Sequence, residues 1–361
     1  MTTLRTSHKG RGAQINTPNP YDNIIRESEV RVLDGDKLRT QYICSDSKTI
    51  VTNVNSPDLH FSHSINPYQG CEHGCVYCYA RNSHTYWGYS AGLDFESKII
   101  VKKDAAKLLD KKLSSTSWMA SPIVLSGNTD PYQPAEKEYE ITRSLLEVFW
   151  KHRHPVQIIT KNSLILRDLD ILSSLAELGL VQVAISLTTL DEELRRVMEP
   201  RTASGKLRIR TIRTLASHKV PVRAMMAPII PGLNDTELME MAKQASHAGA
   251  VAMSHTIVRL NGQVADVFTD WIQKTLPLRA DRIISQIKSC HEGQLNDSRF
   301  GMRQKGSGKI AEMIEQQAKL AKLMYYKGKK MPTLNLNHYQ ARKNPQLSLF
   351  TEEQMSMAKA G

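Results

Sequence analysis

From Phe61 onward, short apolar runs rich in β-branched residues alternate with helix-patterned stretches. The runs are Ser62–Tyr68, Pro122–Ser126, Val156–Thr160, Val181–Leu187, Val220–Ala227 and Val251–Val258. The helical patterns are Asp104–Leu113, Ala135–Trp150, Leu166–Leu178, Leu207–His218, Glu237–Ala248 and Arg279–Lys288. Asp235 reads as a helix N-cap, and Gly179 and Gly249 as helix stops. Strands this continuously apolar predict a parallel sheet covered on both faces. Six such units fit an α/β fold of the partial (β/α)6 TIM-type barrel kind. A doubly wound open sheet is the alternative that pattern alone leaves open. No G-x-G-x-x-G follows a strand, which argues against a Rossmann nucleotide site.

The first strand runs into Gly70-Cys71-Glu72-His73-Gly74-Cys75-Val76-Tyr77-Cys78, a C-x3-C-x2-C loop. An electron-transfer [4Fe–4S] cluster takes four cysteines, one per iron. Three thiolates from one short loop wrap one face of a cubane and leave one iron open. In a TIM-type barrel chemistry collects at the C-terminal strand ends, which is where this loop falls. A structural zinc site is the other reading, with His63, His73 or His84 as fourth ligand. It fits poorly, because zinc loops pair C-x2-C with a second, distant pair.

The N-terminus lacks the apolar core of a signal peptide, no apolar stretch is long enough to span a membrane, and the five cysteines form no disulfide framework. A cytoplasmic protein with no membrane partner is the expectation. The formal net charge of +12 points to an anionic partner. Between Arg299 and Lys343 eleven Lys or Arg residues face two acids, Glu312 and Glu315, so most of the excess sits in one segment. Ile310, Met313, Ile314, Ala321 and Met324 there carry helical spacing. The expected organisation is a mobile basic arm over 1–25, an N-terminal extension over 26–60, the barrel over 61–290, a basic helical extension over 291–335 and a tail over 336–361.

The cysteine loop, with the aromatic Tyr77 before its last cysteine, resembles that of the radical S-adenosylmethionine (radical SAM) superfamily. The surrounding Asn66–Ala80 and the run Gly127–Pro134 are similar to a bacterial branch described as DNA repair photolyase-like and related to spore photoproduct lyase. The resemblance runs from about Phe61 to Ser289 and implies a radical SAM partial barrel. It implies a [4Fe–4S] cluster on Cys71, Cys75 and Cys78, with S-adenosylmethionine (SAM) on the open iron. One electron then splits SAM to methionine and a 5′-deoxyadenosyl radical that abstracts hydrogen from substrate. A one-electron donor such as a flavodoxin or ferredoxin is implied as partner.

The resemblance places Tyr77 near adenine and carries Thr129, Lys161 and Ser186 over as SAM contacts. Asp130 suits the methionine ammonium, and Thr188 and Thr189 suit ribose. Asp130-Pro131 as a helix-start turn and Ser186 as a strand-end cap are the ordinary readings of the same residues. Met225–Asp235 resembles the segment flanking adenine. Glu199-Pro200-Arg201 is either substrate-facing or a structural ion pair. One departure stands out. Spore photoproduct lyase returns a hydrogen atom from a cysteine at its second strand end, where this chain has Asn128, so thymine-dimer reversal does not carry over. Cys44 and Cys290 lie outside the motif. Tyr68, Tyr79, Tyr86, Tyr89 and Tyr132 remain as relay candidates.

Near the C-terminus Gln346-Leu347-Ser348-Leu349-Phe350 resembles the pentapeptide by which bacterial repair proteins dock on the DNA polymerase sliding clamp. In that mode Gln346 fills a polar subsite and Leu347, Leu349 and Phe350 meet an apolar pocket. Basic charge beside such a peptide favours DNA as partner and a DNA lesion as substrate. A radical SAM enzyme acting on RNA or protein, and a non-catalytic metal-bearing nucleic-acid-binding protein, are the competing readings.

Overall fold

The computed structural model describes residues 8–21 and 38–339. The clamp-like peptide at 346–350 lies outside them. Ten strands form two sheets. They are β1 (Gln41–Cys44), β2 (Val51–Asn53), β3 (His63–Ile65), β4 (Tyr68–Gln69), β5 (Lys98–Val101), β6 (Ile123–Leu125), β7 (Val156–Thr160), β8 (Val181–Ser186), β9 (Val222–Ile229) and β10 (Ala252–Ile257). The large sheet has the order β10-β9-β8-β7-β6-β3-β2. Six strands, β3 and β6 to β10, are parallel in sequential order, and β2 adds antiparallel to β3.

That order decides between the two architectures. A doubly wound sheet reverses its strand order at a switch point. Here the order never reverses, so right-handed crossovers stack the connecting helices on one face and curl the sheet into a partial barrel. Residues such as Ile65, Ile123, Ile158, Val183 and Ala224 are fully or almost fully buried in its core. Gly179 and Gly249 stop their helices with φ of 68° and 103°, left-handed values that favour glycine.

Four local expectations are revised. The first strand ends at Ile65 rather than Tyr68, because Pro67 has no N–H to continue the ladder. Tyr68–Gln69 pairs with β5 instead, in a small sheet of order β1-β5-β4. The helix expected over Ala135–Trp150 breaks at Glu140 (φ 47°) into Glu136–Tyr139 and Ile141–His152. The buried Glu136 carboxylate accepts from the Thr142 and Arg143 amides, capping the second piece from a distance in sequence that no cap rule covers. Asp235 opens a 3-10 turn, Asp235–Glu237, and its carboxylate accepts from Gly232 rather than capping the helix Leu238–His247. A helix at Val264–Thr275 was not anticipated, although Val264, Val267, Phe268, Trp271 and Ile272 carry its period and are buried.

The basic extension contains the helix Gly308–Tyr325, which buries Ala311, Ile314, Ala318 and Ala321. Met313 and Met324, expected on its apolar face, are 44% and 58% exposed. The small residues let the helix lie close on its neighbours, and that turns the methionines outward. Residues 8–21 fall in the segment expected as a mobile arm, yet Arg11, Gly12 and Ala13 are buried against the cysteine loop.

Candidate functional site

The cysteine loop leaves the small sheet at β4, directly above the end of β3. Gly70 (φ 78°) makes the turn, and the Cys71 amide donates to the Phe95 carbonyl at 2.8 Å. Beneath the loop Arg81 and Glu96, both fully buried, form an ion pair at 2.5 Å. The Arg81 guanidinium also donates to the Cys75, Ala91 and Gly92 carbonyls. Glu96 accepts from the Gly12 and Ala13 amides at 2.9 and 2.8 Å. The N-terminal segment is thus tied to the floor of the loop by one buried carboxylate. A Cβ on Gly12 would overlap the Gly74 carbonyl. Gly12→Ala is therefore expected to force segment and loop apart, costing about 1–3 kcal/mol by overpacking and lowering iron retention. Unchanged melting and iron content would show that this contact does not hold the loop.

All five cysteines are free, with Cys71 and Cys75 buried and Cys78 half-buried. Burial pushes the thiols of all three loop cysteines up, and in Cys71 the neighbouring Asp130, Cys75 and Cys78 add to the effect. Three clustered thiols whose charged forms repel one another suit a cationic group that would hold them as thiolates. Among the described residues no three His, Cys, Asp or Glu side chains converge closely enough for a single metal ion. Of the histidines suggested for zinc, His63 and His73 have polar neighbours, and both buried ring nitrogens of His84 lack a hydrogen-bond partner among the described residues. His63 Nδ1 lies 2.8 Å from Ser121 Oγ, and His73 Nδ1 lies 3.4 Å from Asp130. His84 packs on Tyr89 and Phe95, and burial lowers its pKa to about 4.

Thr129, Asp130, Lys161 and Ser186 all fall at successive strand ends around this loop. The Thr129 hydroxyl donates to the Tyr68 carbonyl at 2.6 Å. Asp130 Oδ1 accepts from the Tyr132 amide and the Thr160 hydroxyl, and Oδ2 from the Lys161 amide at 2.7 Å. Burial opposes its charge, but His73 and these donors outweigh it and hold the carboxyl below its ordinary range. Asp130 thus joins two strand ends to the cysteine loop. Lys161 Nζ stands 5.6 Å from the Tyr77 ring centroid. Ser186 is 5% exposed and its carbonyl accepts from Arg208. Thr188 and Thr189, expected toward ribose, are turned inward instead. The Thr188 hydroxyl accepts from Arg208, and that of Thr189 donates to Glu237.

Sequence reading missed the group that positions Tyr77. Its hydroxyl donates to Glu199 at 2.7 Å. Glu199 is fully buried and pairs with Arg208 at 2.5 Å. Burial disfavours the Glu199 charge, yet Arg208 and Lys161 hold the carboxyl far below the usual range. Arg201 pairs with Glu72 at 3.2 Å. Glu199-Pro200-Arg201 therefore makes two structural ion pairs. No local signal marks Arg208, which reads as one more charge on a helix.

A family model described as the radical SAM superfamily matches residues 65–245, from β3 to the helix before β10. The chain belongs to the radical SAM superfamily. An uncharacterized protein of Mycobacterium bovis is 32% identical over 256 residues, covering 70% of this chain and 74% of the relative. An uncharacterized protein of Methanocaldococcus jannaschii is 31% identical over 173 residues, covering 48% of this chain and 62% of that one. Among solved structures, spore photoproduct lyase complexed with dinucleoside spore photoproduct superposes with a TM-score of 0.59 at 15% identity, over 80% of each chain. At that identity the likeness speaks for the fold. The radical SAM partial barrel expected from the pattern is the fold observed. Among the described residues no helix is long and apolar enough to cross a membrane.

Proposed function

We propose that this protein is a radical SAM enzyme acting on nucleic acid, with damaged DNA as its substrate class. The observation that carries the enzyme reading is the loop of three free thiols, two buried and one half-buried, at the barrel mouth, held on a buried Arg81–Glu96 pair. Cys71, Cys75 and Cys78 would hold a [4Fe–4S] cluster, and Tyr77, Lys161 and Ser186 would line the space for SAM. When bound, cluster and SAM together supply one-electron cleavage of the sulfonium and a radical able to take hydrogen from substrate. The chain's own part is orientation and exclusion of water. Thr129 and Asp130 shape the second and third strand ends, so that Lys161 is presented over Tyr77.

The nucleic-acid reading draws support from the fold shared with spore photoproduct lyase, which has been crystallised with a dinucleoside photoproduct, and from the net charge of +12. Asn128 stands at the second strand end, its side chain donating to Ser83. Without a cysteine there, return of hydrogen to product follows another route than that lyase uses. Anaerobic reconstitution, reduction and addition of SAM should yield 5′-deoxyadenosine, with deuterium transferred into it from a labelled DNA lesion. A fully loaded protein that leaves SAM intact would refute the enzyme reading; label arriving only from RNA or protein would refute the DNA one.

The pentapeptide Gln346–Phe350 is proposed as a docking segment for the bacterial sliding clamp. A pull-down with clamp is expected to retain the wild type and to lose the Leu349→Ala/Phe350→Ala variant. Equal retention of both removes the clamp from the list of partners.

A further inference from the structure

The partial barrel leaves its two sheet edges unjoined by backbone pairing, and side chains tether them across the seam. Asn82, just after the cysteine loop, donates to the Asn261 carbonyl at 2.8 Å, and the Gln263 amide donates to Asn82 at 3.2 Å. Arg303 pairs with Asp58 and donates to Ser56 at 2.7 Å. The Tyr79 hydroxyl reaches the Gly127 carbonyl at 2.6 Å, so its ring spans the mouth beside Cys78. Tyr79 as a whole residue is 47% exposed.

Arg259 stands in this seam, two residues beyond β10, with its guanidinium 5.9 Å from the Tyr79 ring centroid. The neighbouring cation Arg303 has its own carboxylate, Asp58. Arg259 is half-buried, and among the described residues it makes neither an ion pair nor a hydrogen bond. Burial and the neighbouring Arg303 charge act against its protonated form, while Tyr79 and Asp58, the latter already paired with Arg303, act for it. A guanidinium stripped of part of its water without a carboxylate of its own is costly unless an anion completes it. Its fork geometry suits a phosphate or a carboxylate. The half-exposed planar ring directly beneath favours a nucleotide, whose base can stack while its phosphate is held.

We infer that Arg259 binds a backbone phosphodiester of the nucleic-acid substrate at the seam beside Tyr79. This rests on the nucleic-acid reading above. The test uses the reconstituted full chain and a fluorescein-labelled single-stranded oligodeoxynucleotide, with anisotropy measured from about 50 to 200 mM salt. Arg259→Gln is expected to weaken binding roughly tenfold, as for loss of a charged hydrogen bond. It should also lower the slope of log affinity against log salt by about 1. Arg259→Lys keeps the charge and loses the fork, so it should weaken binding severalfold at an unchanged slope. Wild-type affinity and slope in both variants would overturn the assignment while leaving the nucleic-acid reading in place. A loss confined to SAM retention in equilibrium dialysis would assign the anion to the SAM carboxylate and overturn it too. A wild type that fails to bind the oligonucleotide would remove both readings together.

Discussion

Cys75→Ala is expected to give a folded, colourless protein that no longer cleaves SAM. Iron after reconstitution should fall from about four atoms per chain to fewer than about one, since two remaining thiolates cannot hold a cubane. The fold survives because the loop is anchored by groups other than the sulfur. These are the Arg81–Glu96 pair, the Cys71 amide on Phe95 and the Arg81 bond to the Cys75 carbonyl, which alanine retains. The small side chain fits the same apolar surroundings, Val76, Met198 and Val258. Cys71→Ala and Cys78→Ala should behave alike, whereas Cys44→Ser, at an exposed strand end, should keep full colour. Iron content, visible absorbance and circular dichroism are the measurements. A Cys75→Ala protein that still carries four irons would show that the ligands have been misassigned.

The second large effect is expected at Glu199. Removing one member of a buried ion pair leaves the other charge uncompensated, at a cost of about 3–5 kcal/mol. Glu199→Ala strands Arg208, which is 1% exposed, and removes the acceptor of the Tyr77 and Thr202 hydroxyls. Against a typical stability of about 5–15 kcal/mol this is a large fraction. The urea midpoint of the variant should fall steeply. Tyr77, released from its anchor, should no longer stand beside Lys161, so SAM affinity should fall in whatever fraction stays folded. Removing both charges, Glu199→Leu/Arg208→Met, should recover part of the lost stability without restoring SAM affinity, because Tyr77 still lacks its acceptor. A midpoint within about 1 kcal/mol of wild type for Glu199→Ala would mean that Arg208 finds water or another partner. The pair would then have little structural weight.

Charged residues show how far a sequence can be read here. Asp130 and Lys161 were visible as site candidates because they follow strands, and a strand end of such a barrel faces its mouth. Glu199 was visible only with its role left open between substrate and ion pair, and Arg208, Glu96 and Arg81 were not visible as a framework, since nothing local distinguishes a buried charge from a solvated one. Glu199 meets Tyr77 across 122 residues, and Glu96 meets Gly12 across 84. Arg259 is a third kind: its position after the last strand is plain in the sequence, but that the nearby carboxylate is taken by Arg303 is a fact of the assembled seam.

Local spacing was enough for the three-cysteine loop, the six repeating units and the family, because each depends on residues that are neighbours along the chain. A C-x3-C-x2-C loop is a property of eight consecutive residues, and alternating apolar runs of a few residues each declare a parallel sheet wherever they are found. Tertiary structure alone decided that the strand order never reverses, that the N-terminal segment lies under the cysteine loop, and that Glu199 anchors Tyr77. Each of these depends on burial and on pairings between distant segments. A carboxylate's role is set by which guanidinium shares its desolvated space, and that is determined only when the chain has closed around both.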